Sequence, residues 1–284
     1  MEALCDLHTH SNHSDGTLSP AQIIEAAQAA GLAAVALTDH NSESGLPEFL
    51  EAAGNFDVEA VPGAEFSTDY LDAELHILGL YIRPEHYEAI TAMMDDVLRR
   101  KERSNRELVQ ALNHAGYDLD YDTIKNRTPG GFVNRAHIAA ELTRLGYTAD
   151  RKEAFSKLLS PKCGFYQPPR RINAFEMIRV LKSMGAVVVL AHPFLSLKEE
   201  DALRAFLGPA VEAGLDGMEV RYPLFDEAQT RAAERLAVEF SLLPSGGSDF
   251  HGDNKPDIQL GHGRGGLNVP LDFLSVLKQR RKIE

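Results

Sequence analysis

Six histidines and four carboxylates lie in short, spaced clusters along this 284-residue chain: His8-Thr-His10, Asp15, Asp39-His40, Glu65, His76, His192 and Asp249-Phe-His251. Imidazole and carboxylate donors without a thiolate suit Mn2+ first, then Zn2+ or Fe2+, with Mg2+ a poorer match. Neighbouring divalent cations activate water, hold phosphoryl oxygens and stabilise a departing alkoxide, so the chemistry suggested is hydrolysis.

The spacing says more than the residue types. His8 and His10 are two apart on a predicted strand, so both imidazoles leave on one face. Asp249 and His251 repeat that spacing. Asp15 lies in the polar turn Ser-Asp-Gly-Thr, which can fold a carboxylate back over a pocket. In Asp39-His40 the side chains face opposite ways, which makes His40 the ligand and Asp39 a supporting or turn-forming group. Glu65 follows Pro62-Gly63-Ala64 and can bridge two cations. His76 interrupts an apolar strand, and His192 ends the run Val-Val-Val-Leu-Ala. His40, Asp249 and His251 are also candidate proton carriers. A lone histidine of this kind is usually a hydrogen-bonded core residue; seven clusters that each close an apolar run are not explained that way. His13 falls in a solvent-facing turn, and His86, His114, His137 and His262 read as structural or surface residues.

Positioning these groups at one mouth takes a particular scaffold. Strands are expected at 4–10, 33–38, 58–64, 75–81, 186–191, 218–221 and 242–245, with helices at 20–30, 43–53, 174–184, 199–213, 227–240 and 271–281. Ser19 is the N-cap of the first helix and Pro20 its first residue. Strand-helix alternation implies a parallel sheet or barrel. Ligands at nearly every strand end favour the barrel, which gathers its C-terminal loops over one site. Residues 85–167 form a helical insertion between the fourth and fifth strands, and residues 1–84 and 168–284 form the barrel.

Composition narrows the partners. A formal charge of −13 argues against duplex nucleic acid, which calls for a basic face. It leaves room for a small phosphorylated substrate, since bound cations reverse the local sign. No apolar stretch approaches the length of a membrane span, and the N-terminus lacks the pattern of a signal peptide. Cys5 and Cys163 make no disulfide framework. A cytoplasmic protein with no membrane partner is expected.

His-x-His-x-x-x-x-Asp-Gly, Thr-Asp-His, Gly-x-Glu, the interior His76, Ala-His-Pro and Gly-Ser-Asp-x-His, in this order, resemble the PHP (polymerase and histidinol phosphatase) superfamily over residues 4–82 and 174–254. The resemblance implies a distorted (β/α)7 barrel with two or three divalent ions. Carried over residue by residue, it puts one ion on His8, His10, Glu65 and Asp249. A second shares Glu65 with His76 and His192, and a third takes Asp15, His40 and His251. Some family members have histidine where this chain has Asp15.

The expected function is metal-dependent hydrolysis of a phosphate monoester by activated water. The insertion carries Gly130-Gly-Phe-Val-Asn134-Arg135, a glycine-rich loop opening a helix whose N-terminus and Arg135 could grip an anion. Arg171 follows a rigid Pro-Pro approach, Ser245 ends the seventh strand, and Glu219 and Arg221 alternate on the sixth. Asn134, Arg135, Arg171, Ser245 and Arg221 are therefore candidate substrate contacts, with Phe132, Phe165, Tyr166, Phe194, Tyr222 and Phe250 as base-stacking candidates. The Asn-Arg-x-His stretch resembles the PHP branch of nucleoside 3′,5′-bisphosphate phosphatases, which makes the 3′-phosphate of such a nucleotide the leading substrate. Histidinol phosphate and short RNA cleaved 5′ to 3′ are alternatives. An amidohydrolase or a non-catalytic nucleotide sensor would be a different class.

Overall fold

The strands of the barrel are short apolar runs: Cys5–Asp6 (β1), Ala34–Leu37 (β2), Glu59–Tyr70 (β3), Ala73–Leu80 (β4), Ile172–Asn173 (β5), Val187–Leu190 (β6), Gly217–Arg221 (β7) and Leu243–Gly246 (β8). β2 and β6 are buried at every residue, as strands covered on both faces must be. The computed structural model describes residues 3–128 and 133–281. Two compact units make up the chain, Met1–Ala92 with Arg171–Glu284, and Met93–Arg170.

In the first unit the sheet runs β1-β2-β3-β4-β6-β7-β8, with β5 paired on β3. Seven strands thus form the wall of a distorted (β/α)7 barrel, and the eighth, two residues long, lies off that path. The seam closes through Leu7 N–H to the Gly246 carbonyl at 3.2 Å, Asp249 N–H to that of His8 at 2.9 Å and His10 N–H to that of Phe250 at 2.9 Å. The wall is not all parallel, as strand-helix alternation alone would have it. β4 runs antiparallel to both β3 and β6, because Leu71 and Asp72 turn the chain directly from β3 into β4 with no helix between them.

Helices Pro20–Ala29 (α1) and Leu46–Ala53 (α2) follow the first two strands, and a long helix, Tyr87–His114 (α3), leaves this unit. Ser19 caps α1 in a reciprocal capping box with Gln22, which satisfies two otherwise orphaned N–H groups. The barrel interior packs Leu7, Ala36, Val61, Leu78 and Val189 against Leu274 and Leu277, the last two on the terminal helix, Leu271–Arg281. None of the described helices is long and apolar enough to cross a membrane.

The second unit is helical: the greater part of α3, then Tyr121–Arg127 (α4), Arg135–Arg144 (α5) and Arg151–Ala154 (α6), which continues as one wider π turn over Phe155–Leu159. It has its own core, including Leu108, Leu112, Ile124, Ile138, Leu142 and Leu159.

Candidate metal centre

The closed seam is what assembles the centre. Residues 7–10 continue β1 and pair with residues 246–250, so the two i, i+2 pairs, His8/His10 and Asp249/His251, meet side by side. The approach is close: a Cβ on Gly247 would lie 2.4 Å from that of His8, so this position requires glycine. Across the barrel, the β3–β4 register sets Glu65 opposite Leu78 and Ser67 opposite His76, which brings Glu65 and His76 together as diagonal neighbours on one face. Glu65 and His76 thus sit within a hairpin, not at strand ends. The antiparallel direction of β4 is what carries His76 to the same mouth.

Glu65 is the hub and is fully buried. Its Oε1 is 2.8 Å from His76 Nδ1 and 3.0 Å from His192 Nε2. Its Oε2 is 2.9 Å from His40 Nδ1 and 3.4 Å from both His8 Nε2 and His10 Nε2. Asp249 Oδ1 is 3.3 Å from His10 Nε2 and 3.4 Å from His251 Nδ1. Asp15, the most exposed member, is 3.1 Å from His251 Nε2 and 3.8 Å from His40 Nε2.

Four overlapping groups have donor atoms within 4.8 Å of one another: His10, Asp15, His40 and His251; His8, His10 and Asp249; His8, Glu65 and His192; and His40, Glu65 and His76. The hydrogen bonding of the set is incomplete in a way that suits cations. Among the described residues, Nδ1 of His10 and of His192 are buried without a hydrogen-bond partner, although buried polar atoms are normally paired, and His40 Nδ1 and Glu65 Oε2 are close but not aligned for a hydrogen bond. His8 Nε2 and His10 Nε2 face each other at 3.0 Å. Buried nitrogens and carboxylate oxygens aimed at shared points fit divalent ions held by mixed N and O donors.

The electrostatics follow from burial against charge. Burial drives His10 down to about 3, so its imidazole is neutral over the working range. Burial also opposes the charged form of His8, but Glu65, Glu219 and Asp249 outweigh it and raise its pKa well above the usual value. His76 rises to about 9, where Glu65 and Glu74 overcome the cost of burial. Glu65 and Asp249 are buried too, yet the surrounding imidazoles hold both below the ordinary carboxylate range. Asp15 falls to about 2, its burial outweighed by the bond to His251 and the charge of His40.

A model of the PHP domain matches residues 6–158. The chain belongs to the PHP domain family. Among its relatives, a 5′-3′ exoribonuclease of Haemophilus influenzae is 31% identical over 87% of this chain and 89% of its own. A 3′,5′-nucleoside bisphosphate phosphatase of Chromobacterium violaceum is 28% identical over 90% of each chain. A solved structure from Bifidobacterium adolescentis, assigned to metal-dependent phosphoesterases, superposes with a TM-score of 0.74 at 28% identity, covering 97% of this chain and 96% of that one.

Other sequence candidates land differently. Asp39 accepts hydrogen bonds from Ser11 N–H, Ser11 Oγ and Ser14 Oγ at 2.6–2.7 Å and so shapes the loop that carries Asp15. His13 bonds Ser44 at 2.8 Å, away from the PHP cluster. Arg221 does not line the barrel: a bulge between Glu219 and Arg221 breaks the two-residue alternation, and its guanidinium pairs with Glu234 of helix Glu227–Glu239 at 2.5 Å. Ser245 is fully buried, and its hydroxyl has no hydrogen-bond partner among the described residues.

In the helical unit, the side chains of Asn134 and Arg135, expected to grip an anion, have protein partners. The Asn134 side chain itself caps α5, accepting from the N–H groups of Ala136 and His137, so the helix terminus is already satisfied. Arg135 donates to the Leu159 carbonyl at 3.1 Å and lies over the Tyr166 ring at 4.4 Å. Gly130, Gly131 and Phe132 lie outside the described residues. Arg171, in the barrel unit, bonds Asp69 at 3.0 Å and Glu74 at 2.7 Å, and Glu74 is 3.4 Å from His76 Nε2.

Asp6 and Lys255 are absent from the sequence-based candidates for the site, while Glu219 and Tyr222, noted there for a shared strand face and for base stacking, hold metal-centre residues instead. Glu219 accepts from His8 Nδ1 at 3.0 Å and from the His192 backbone N–H at 2.6 Å. Asp6 ties the seam, accepting from Ser248 N–H and Oγ and from Gly261 N–H. Tyr222 Oη and Lys255 Nζ each donate to Asp249 Oδ2 at 2.7 Å. For Glu219, the alternation with Arg221 is a usable signal. Lys255, six residues beyond Asp249 in an irregular loop, has none. Asn41, His192 and Asp249 all hold left-handed backbone, with φ of 52°, 25° and 55°, a costly conformation that clusters at functional sites.

Proposed function

We propose that this PHP protein hydrolyses the 3′-phosphate of a nucleoside 3′,5′-bisphosphate with the help of two to three divalent ions, Mn2+ being the best matched. The observation that carries the reading is the Glu65-centred cluster with a cation one carboxylate beyond it: His76 Nε2 to Glu74 at 3.4 Å, and Glu74 to Arg171 at 2.7 Å. A substrate with two phosphates has one for the metal centre and one for Arg171, within the same barrel unit. Phosphate-ester hydrolysis is the chemistry of the family relatives by name, and this chain is a hydrolase of that kind.

Under this reading His8, His10, Glu65 and Asp249 hold one ion, Glu65, His76 and His192 a second, and Asp15, His40 and His251 a third. Bound cations supply Lewis acidity toward water and the phosphoryl oxygens. Glu65 faces five imidazoles and, being buried, keeps them fixed. His40 is the most exposed imidazole of the set, its side chain 26% accessible. Its Nε2 faces Asp15 and would pass a proton to the departing 3′-oxygen only while that nitrogen holds no cation. Asp249 and His251 would do so on the same condition, His251 being fixed by its Nδ1 contact with the Asp249 carbonyl at 2.8 Å.

The second reading, exonucleolytic cleavage of short RNA, is favoured by the name of the Haemophilus relative and uses the same centre. The test is phosphate release by Mn2+-loaded protein from adenosine 3′,5′-bisphosphate beside 5′-AMP, 3′-AMP, histidinol phosphate and a short RNA. Preference for the bisphosphate supports the proposal; preference for histidinol phosphate or RNA refutes the substrate assignment.

A further inference from the structure

Asp249 divides its two oxygens. Oδ1 faces His10 and His251, while Oδ2 takes the Tyr222 hydroxyl at 2.7 Å and the Lys255 ammonium at 2.7 Å. Tyr222 is buried and by itself satisfies Oδ2 with a neutral donor. Lys255 is different. Its side chain is 38% accessible, and Asp249 is the one hydrogen-bond acceptor it reaches among the described residues. An ammonium carries three N–H groups, so two remain for another anion at the edge of the centre.

The backbone beneath Lys255 is built to hold it there. The Asp253 N–H donates to Thr17 Oγ1 at 3.0 Å, and Asn254 Nδ2 to the Asp15 carbonyl at 2.8 Å. Lys255 N–H returns to the Gly252 carbonyl at 3.1 Å, and its own carbonyl accepts from Ile258 at 2.9 Å. The loop is therefore pinned to the segment that carries Asp15.

We propose that Lys255 is a phosphate-binding residue of the active site, its free N–H groups taking a non-bridging oxygen of the reacting phosphate while Asp249 Oδ2 fixes the ammonium. The inference rests on the reading of the site as one for phosphate esters. It predicts that Lys255 acts on the anion and not on the cations. Tyr222, donating to the same oxygen, supports only Asp249.

Calorimetric titration of inorganic phosphate into Mn2+-loaded wild type, Lys255→Met, Lys255→Arg and Tyr222→Phe tests this, with Mn2+ affinity measured by chelator competition and folding by circular dichroism. Expected for Lys255→Met is phosphate binding weakened about tenfold or more, the scale of one charge-assisted hydrogen bond, with Mn2+ affinity unchanged. Lys255→Arg recovers part of the loss. Tyr222→Phe lowers Mn2+ affinity and leaves phosphate affinity in place. Unchanged phosphate binding in Lys255→Met, or a parallel loss of Mn2+ and phosphate affinity, overturns the proposal. A wild type that binds Mn2+ but no phosphate overturns both this proposal and the reading on which it rests.

Discussion

Glu219→Gln isolates one charge while keeping the side-chain volume. Glu219 is fully buried and holds two donors, His8 Nδ1 at 3.0 Å and the His192 N–H at 2.6 Å. A glutamine has a single carbonyl oxygen, so one of those donors must then face an NH2 group. Losing a hydrogen bond to a charged partner costs about 1.5–3 kcal/mol. Because His8 turns its other nitrogen, Nε2, toward Glu65 and Asp249, much of that loss appears as weaker cation binding. Changing an outer-sphere carboxylate behind a ligating histidine lowers metal affinity about 10–100-fold, or roughly 1.4–2.7 kcal/mol, which agrees with the bond estimate. Competition between the protein and a fluorescent chelator for Mn2+ measures it. Glu234→Gln is the control, since that carboxylate pairs with Arg221 and touches no member of the cluster. Mn2+ affinity of Glu219→Gln within about twofold of wild type would refute the idea that Glu219 holds His8 for a cation.

Three further outcomes are expected. His10→Ala or Asp249→Asn should abolish nearly all turnover and lower metal content by elemental analysis; full activity in either would show the centre to be misassigned. In the metal-free protein His76 stays protonated to about pH 9, against an ordinary histidine value of 6.5. Its stabilising contribution is then full below about 6.5 and lost as pH rises through about 9, while Mn2+ uptake expels the proton and strengthens with pH over the same interval. Thermal melts of the metal-free protein and proton release on Mn2+ addition check the two halves, and a pH-independent affinity between 6.5 and 9 would contradict the second. Arg171→Ala should raise KM for a bisphosphate more than for a monophosphate, whereas Arg135→Ala should cost about 1–2 kcal/mol of stability through its carbonyl bond and its stacking on Tyr166, with no such discrimination; the reverse pattern in steady-state kinetics would restore Arg135 as the anion contact.

The residues of the centre are legible in the sequence because metal donors have few alternatives and short spacings are local geometry. His8/His10 and Asp249/His251 advertise one face of an extended chain, and a capping residue such as Ser19 marks a helix start through a bond to a neighbour three residues away. The terminal helix Leu271–Arg281 emerges with the bounds its sequence suggests. The arginines are not legible in this way. A guanidinium on a flexible stem goes to whichever acceptor the fold presents, and for Arg135 that includes the Leu159 carbonyl within its own unit.

What the sequence alone determined about this protein is therefore its donor set, its strand and helix periods and the family those motifs define. Tertiary structure decided which atoms meet. His8 and Glu219 lie 211 residues apart, and only closure of the barrel brings a carboxylate behind that imidazole. A bulge in β7 turns Arg221 outward, and a two-residue turn reverses β4 so that His76 reaches Glu65. Local rules act over a few residues, through fixed periods and short hydrogen bonds. Register, bulges and closure depend on which distant chain segments share the wall, and no local spacing encodes that.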